Sequence, residues 1–323
     1  MKAFPSRDLP RLRLALLAWY EANRRELPWR GTRHPYRIWV SEIMLQQTRV
    51  GAVLDRYESF LKKFPSVETL AAAPESSVLA EWSGLGYYRR ARNLHRAAKL
   101  VMGKHGGVFP TTAELWRELP GIGRYTAAAI ASIASGEPVA VLDANVKRVI
   151  GRLGPIRTEA ESWRRAEALL DRGRPGDFNQ AMMELGALVC LARQPRCSSC
   201  PIQSWCGMCG KVPGQRVARP RVKREVAYAL VRRAGAVRLV RRAADDSLLP
   251  GMWELPPVDY VEASDEPLFT VRHSITVTDY VVTVVTQENP AASPGTWVRI
   301  SRLHSIPLTG LAKKILRRAQ VIQ

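Results

Sequence analysis

No run of about eighteen apolar residues occurs in the 323-residue chain, so no membrane-spanning helix is expected. The nearest approach to a secretory leader is Leu14–Tyr20, behind Arg11 and Arg13. Glu21, Arg24, Arg25 and Glu26 follow it without a small-residue cleavage site, which predicts an amphipathic first helix in an intracellular protein. Cysteine is missing outside positions 190–209, where all five occur. A disulfide framework distributes its cysteines, so this clustering points to a metal site. Acidic residues are scarce, 29 against 49 Lys and Arg, for a formal net charge of +20. Residues 225–323 hold 12 basic and 10 acidic residues, which leaves +18 of the +20 for residues 1–224. A surplus confined to one part suits a polyanion partner, because each Lys or Arg set against a phosphate releases condensed counterions. Internal repeats and low-complexity tracts are absent as well.

The length allows two domains, each with its own core. From about residue 8 to residue 190 the chain reads as helices with short Gly and Pro punctuation. Val67–Trp82, Ala91–Val101 and Arg164–Leu170 carry apolar residues at helical spacing. After residue 225 the pattern turns to β. Val226–Val231 and Val237–Val240 around Ala234-Gly235 read as a hairpin, Ile275–Val285 and Trp297–Ile300 are β-branched, and Leu311–Ala319 reads as a terminal helix. The expected organisation is a mainly α domain over 1–206, a basic linker over 207–224, and a mixed α/β domain over 225–323. The linker carries Lys211, Arg216, Arg219, Arg221, Lys223 and Arg224 and no acid.

Cys190, Cys197, Cys200 and Cys206 have the spacing C-x6-C-x2-C-x5-C, with Cys209 left over. Four thiolates on a short loop can wrap one metal centre, and zinc and a [4Fe–4S] cluster both accept such a set. Upstream, Leu119-Pro120-Gly121-Ile122-Gly123-Arg124-Tyr125 sets two glycines ahead of the apolar helix Thr126–Ile133. Glycines allow positive φ and close approach to a ligand, and N–H groups opening a helix attract an anion, which fits a helix-hairpin-helix contact with phosphate.

Two acids are the candidates for chemistry. Glu42 is a single acid among Trp39, Ile43, Met44 and Leu45, and such partial desolvation makes a carboxyl a proton donor. Asp143 follows an apolar run at the start of a helix and reads as an N-cap, a role compatible with catalysis if its free oxygen faces substrate. Cleavage of an N-glycosidic bond passes through an oxocarbenium-like sugar. One acid must protonate the leaving group and another carboxylate must stabilise or attack the cation.

The chain resembles the MutY-type adenine DNA glycosylases of the endonuclease III, helix-hairpin-helix superfamily. The likeness rests, in order, on Leu27-Pro28-Trp29, His34-Pro35-Tyr36, Ser41-Glu42 through Thr48, Gly84-Leu85-Gly86-Tyr87-Tyr88, the glycine hairpin, Leu142-Asp143-Ala144-Asn145-Val146-Lys147-Arg148, Phe178 through Gly186, and the cysteine loop. The resemblance implies a helix-hairpin-helix glycosylase domain with a [4Fe–4S] cluster on Cys190, Cys197, Cys200 and Cys206. It implies that Glu42 protonates adenine and works on the water, that Asp143 stabilises or attacks the sugar cation, and that Tyr125 and Asn145 assist. Arg25, Leu27, Trp29, Arg30, Val50 and Glu184 would line the adenine pocket. Gln47 and Tyr87 would wedge into the base stack. Gly121, Gly123 and Lys147 would meet the DNA backbone. The expected partner is double-stranded DNA containing adenine opposite 8-oxoguanine or guanine, bound by a monomeric enzyme in the cytoplasm, at the nucleoid.

Endonuclease III is similar over residues 30–206 but carries a hairpin lysine that forms a Schiff base. Tyr125 stands at that position, so a monofunctional glycosylase is expected. The second domain resembles the MutT-like (Nudix-like) domain of the same family through Leu249 to Pro256 and Pro307 to Lys314. No R-E-x-x-E-E run follows Gly251, so binding without hydrolysis is expected. The family reads 8-oxoguanine with a Phe-Ser-His loop. Val271-Arg272-His273 stands as the matching segment, followed by Ser274, which makes His273 and Ser274 the candidate readers. Two other readings are a glycosylase of this fold acting on another mismatch, and a non-catalytic, redox-sensing DNA-binding protein.

Overall fold

A computed structural model describes residues 8–209, 221–243, 245–246, 248–258, 267–275, 277–286 and 294–322. Lys211, Arg216 and Arg219 of the expected linker lie outside these residues. Eleven helices precede the sheets: α1 (Leu9–Asn23), α2 (Pro35–Leu45), α3 (Val50–Lys63), α4 (Val67–Ala72), α5 (Glu75–Trp82), α6 (Arg89–His105), α7 (Ala113–Trp116), α8 (Arg124–Ile130), α9 (Ala144–Leu153), α10 (Glu159–Leu169) and α11 (Pro175–Leu188). Packing divides the chain into two units, Met1–Ala71 with Arg96–Arg216, and Ala72–His95 with Val217–Gln323.

In the helical unit, Leu12, Leu16, Leu17 and Tyr20 of α1 meet Val146, Val149, Ile150 and Leu153 of α9 and Phe178, Ala181, Met182 and Leu185 of α11 in one core. These residues recur every three or four positions, the spacing that puts side chains on one helix face. Helix starts are written locally. Pro35 and Pro175 occupy first turns, where a missing N–H costs nothing. Thr112, Asp143 and Thr158 cap α7, α9 and α10 through their side-chain oxygens. The expected helix Thr126–Ile133 changes winding partway. α8 ends at Ile130, and Ala131–Ser135 continues as a π-turn closed by Gly136 at φ +71°. The run Val67–Trp82 is likewise two helices, with Pro74 preceding the second.

In the other unit, β1 (Val222–Ala229), β2 (Arg232–Arg233), β3 (Ala236–Arg241), β4 (Trp253–Glu254), β5 (Pro257–Val258), β6 (Pro267–Ile275), β7 (Thr278–Val285) and β8 (Thr296–Arg299) form two sheets. One has the order β5-β1-β7-β6; the other has β2-β3-β4 with β8 paired to β3. Helix α12 (Gly310–Arg318) covers their core with Leu311, Ala312, Ile315 and Leu316.

The turn at Ala234-Gly235 forms as expected, with φ +44° and +72°. Its first arm does not. From that arm Arg232 and Arg233 pair with β3 and the Val231 carbonyl accepts from the Arg238 N–H, whereas Val226 lies on β1, which runs parallel to β7 with Val222 opposite Thr278. A turn signal is local, but a parallel partner over fifty residues away leaves no mark beside it. β1 also begins at Val222, inside the stretch read as linker, and Arg221 just before it pairs with Asp279 at 2.7 Å. The run Ile275–Val285 crosses from the end of β6 into β7.

Candidate active site and cysteine loop

Helix α2 is buried nearly all round, at Tyr36 and from Ile38 to Met44, so its single acid cannot escape to water. Glu42 is 6% exposed. Burial pushes its carboxyl up to about 7; Tyr125 opposes the shift, and the nearby Asp143 carboxylate adds to it. The Tyr125 hydroxyl donates to Glu42 Oε2 at 3.2 Å and also lies 3.2 Å from Met183 Sδ. Tyr125 is the second residue of α8, so the hairpin that sets this helix also sets the donor on Glu42.

Asp143 reaches the same place from an extended approach. Buried Asn179 holds that approach, accepting from the Val141 N–H and donating to Val139 O and Ser132 Oγ. Asp143 Oδ1 then accepts from the Val146 N–H at 2.7 Å, closing the cap of α9, and Oδ2 accepts from Asn145 Nδ2 at 3.0 Å. Burial raises the Asp143 carboxyl while these N–H donors pull it down. Asn145 is fixed in turn, because Arg148 donates to its Oδ1 at 2.8 Å and to the carbonyls of Gly186 and Cys190. Helix α11 approaches so closely here that a Cβ on Gly186 would fall 2.5 Å from Asn145 Cβ.

A cavity of about 240 Å³ joins these groups. Glu42, Tyr125, Asp143 and Asn145 line it together with Arg25, Leu27, Trp29, Arg30, Val50 and Glu184, all ten being residues expected there from the sequence. Glu184, 1% exposed, receives bidentate pairs from both Arg25 and Arg30 at 2.7–2.9 Å. Burial favours its neutral form, but the two guanidiniums outweigh that and hold the carboxyl at about 2. One wall thus carries a permanently charged network and another a carboxyl poised near neutrality. The sequence reading missed Gln180, Met183 and Ala187, which line the cavity with Glu184. Their spacing of three, one and three marks a single face of α11, and that periodicity was the available signal.

Other expected residues stand elsewhere. Gln47 and Tyr87 do not line the cavity; each holds a left-handed backbone, at φ +55° and +47°, and Tyr87 is 47% exposed. Such strain in a non-glycine residue survives only where its surroundings impose it. Gly121 needs its glycine, at φ +82°, but Gly123 is an extended N-cap at φ −87° with open space around a would-be Cβ. Lys147 is paired at the surface with Glu159 at 3.5 Å. Val271, Arg272 and His273 are not a loop. They lie within β6, with Val271 in the core and the Arg272 carbonyl accepting from Lys314 Nζ. Alternating burial along the strand sets this, and the turn falls after Ile275, where Val277 is exposed. Burial lowers the His273 imidazole's proton affinity, helped by Lys314, and Ser274 donates to Asp279.

Cys190, Cys197, Cys200 and Cys206 border one cavity of about 30 Å³, with Cys209 also on its edge. Among the described residues no group of three or more His, Cys, Asp or Glu is placed to hold a metal ion. Arg152 places Nη1 3.1 Å from Cys190 Sγ and donates to the carbonyls of Leu191 and Ala192, so α9 braces the loop. Burial pushes the Cys200 thiol up to about 11, and the neighbouring thiols add to the effect. Such a set resists ionising together unless a positive centre compensates it.

A glycine turn feeds helix α8, whose Tyr125 meets the buried Glu42 beside Asp143. The chain belongs to the HhH-GPD superfamily of base excision DNA repair proteins, whose profile matches residues 40–175. The solved structure of a thermostable thymine-DNA glycosylase is similar at 32% identity and a TM-score of 0.59, covering 64% of this chain and 98% of that one. The adenine DNA glycosylase of Mus musculus is 46% identical over 230 residues, 66% of this chain and 45% of the relative. That of Arabidopsis thaliana is 36% identical over 325 residues, 85% of this chain and 51% of the relative. The chain spans about half the length of these curated relatives. Among the described residues no helix is long and apolar enough to cross a membrane.

Proposed function

We propose that the protein is a monofunctional glycosylase that excises adenine opposite 8-oxoguanine or guanine in duplex DNA and leaves an abasic site. One observation carries the reading: a cavity that sets Glu42, with its carboxyl near 7, beside the capped carboxylate of Asp143. Below that pH Glu42 carries the proton that the departing adenine needs at a ring nitrogen, and its conjugate base then takes a proton from attacking water. Asp143, accepting from Val146 and Asn145, keeps negative charge against the sugar cation. Tyr125 orients Glu42 and offers no amine, so strand cleavage through a Schiff base has no nucleophile there. Arg25, Leu27, Trp29, Arg30, Val50 and Glu184 hold the flipped base.

Cys190, Cys197, Cys200 and Cys206 would hold a [4Fe–4S] cluster. Four thiols border one cavity, a donor set that either zinc or an iron–sulfur cluster accepts, and the family resemblance of the cysteine spacing favours the cluster. Such a cluster supplies a cross-link between chain segments and a redox-active centre. Gly121, Gly123 and Lys147 are assigned to the DNA backbone, and the Nudix-like sheet unit, through His273 and Ser274, to the base opposite adenine.

The likeness to a thymine-DNA glycosylase supports a second reading, excision of thymine from G:T. Both are decided by incubating duplexes carrying A:8-oxoG, A:G, A:C and G:T with the protein and with its Glu42→Gln variant, then cleaving abasic sites with alkali. Alkali-labile product from A:8-oxoG and A:G alone, lost in the variant, is expected; product only from G:T selects the second reading, and product from the variant removes Glu42 from the chemistry.

A further inference from the structure

Tyr87 stands on a short loop, 47% exposed between buried Leu85 and Tyr88. Gly84 and Gly86 take φ +108° and +69°, which glycine adopts freely, and between Gly86 and Tyr88 the Tyr87 backbone is held left-handed at φ +47°, a conformation its side chain disfavours. Arg90 sits 5.5 Å above the Tyr87 ring and 5.4 Å from that of Trp82, and donates to the carbonyls of Leu85 and Gly86. The Trp82 indole N–H also reaches Gly86 O at 3.1 Å. An aromatic ring carried on a rigid, strained tip is suited to stacking on a base.

The anchorage of this loop comes from far along the chain. Ser83, fully buried, donates to the Leu308 carbonyl at 2.7 Å. The Tyr88 hydroxyl lies 3.2 Å from the same carbonyl and 3.2 Å from Ser83 Oγ. Leu308 is itself immobilised by a parallel bridge to Trp253, with Trp253 N–H donating to Pro307 O and Thr309 N–H to Trp253 O. Arg92, on the helix that leaves the loop, donates to Pro250 O and pairs with Glu75. Two buried hydroxyls on either side of the glycines thus converge on one carbonyl of the sheet unit.

We propose that Ser83 and Tyr88 are positioning residues that fasten the Tyr87 tip to the C-terminal sheet unit, so that this unit holds the ring that enters the base stack. This rests on the reading of the protein as a base-flipping glycosylase. An unfastened tip bends away from the stack, and the cost falls on unstacking the base and spares the later bond cleavage.

The test compares the full chain with Ser83→Ala, Tyr88→Phe and the double variant, with Tyr87→Ala as reference. The probe is an A:8-oxoG duplex carrying 2-aminopurine next to 8-oxoguanine, read by fluorescence at saturating protein. Excision rates are measured in parallel on A:8-oxoG and on adenine opposite an abasic-site analogue, where little unstacking is needed. Expected are a fluorescence rise with the parent protein, its loss in Tyr87→Ala, and a reduced rise in the double variant. The double variant should also cut A:8-oxoG roughly five- to thirtyfold more slowly, with a much smaller loss on the pre-opened substrate. A double variant that gives the parent's fluorescence rise, or that loses rate equally on both substrates, overturns the proposal. If the fluorescence pattern holds but the parent protein releases no adenine, the glycosylase reading fails and the role of the tip stands.

Discussion

Tyr125 donates its hydroxyl to Glu42 across 3.2 Å, from the first turn of α8 to the middle of α2. The contact ties the hairpin to an acid whose carboxyl is poised near neutrality. Because it favours the charged form of Glu42, its removal pushes that carboxyl further up. Tyr125→Phe should therefore move the alkaline limb of the single-turnover pH profile above its parental position near 7, with a lower maximal rate. An unmoved limb would mean that Glu42 does not govern it.

Glu42 also costs stability. Its carboxyl titrates at 4.5 in its ordinary state and near 7 when folded, so between those values the folded chain holds the extra proton. Stability falls as pH rises through that window and levels off above it, by about 3 kcal/mol at most. Glu42→Gln should melt higher than the parent at pH 8, match it near pH 4.5, and be inactive. Calorimetry at the two pH values checks the sign.

Asp143 combines a cap with a charge, and two substitutions separate them. Asp143→Asn keeps a capping oxygen and should melt within about 0.5 kcal/mol of the parent, whereas Asp143→Ala should lose about 1 kcal/mol. Both should reduce excision at least a hundredfold. An active Asn variant would leave Asp143 with the cap alone.

Gly186→Ala tests how tightly α11 holds the acid pair. The added methyl would overlap Asn145, so a loss of about 1–3 kcal/mol is expected. The rate of excision should fall along with it, since Asn145 can no longer keep its bond to Asp143. Full activity at unchanged melting temperature would show that the helices separate without consequence.

The candidate cavity was more legible than the sheets. Glu42 amid apolar neighbours, Asp143 at a helix start and Tyr125 after the hairpin each have a local signature, and the cavity brings all three together. The α11 face formed by Gln180, Met183 and Ala187 was readable from spacing but was passed over. The parallel pairing of β1 with β7 was not readable, because register across a crossover is set by packing. Val271 illustrates the same limit: its neighbours resemble a reading loop, while its own alternation places it in the core.

Residues 72–95 pack with partners that follow them by more than a hundred positions, in residues 217–323. At ribosomal speeds of about 5–20 residues per second, Ser83 and Tyr88 wait on the order of ten seconds before Leu308 is synthesised. Through that interval the left-handed tip has only its local braces, Arg90 and the Trp82 indole, and lacks the carbonyl that holds Ser83 and Tyr88. A chain shortened after the cysteine loop would keep the acid pair and lose that anchorage, and it should be assayed as a different protein.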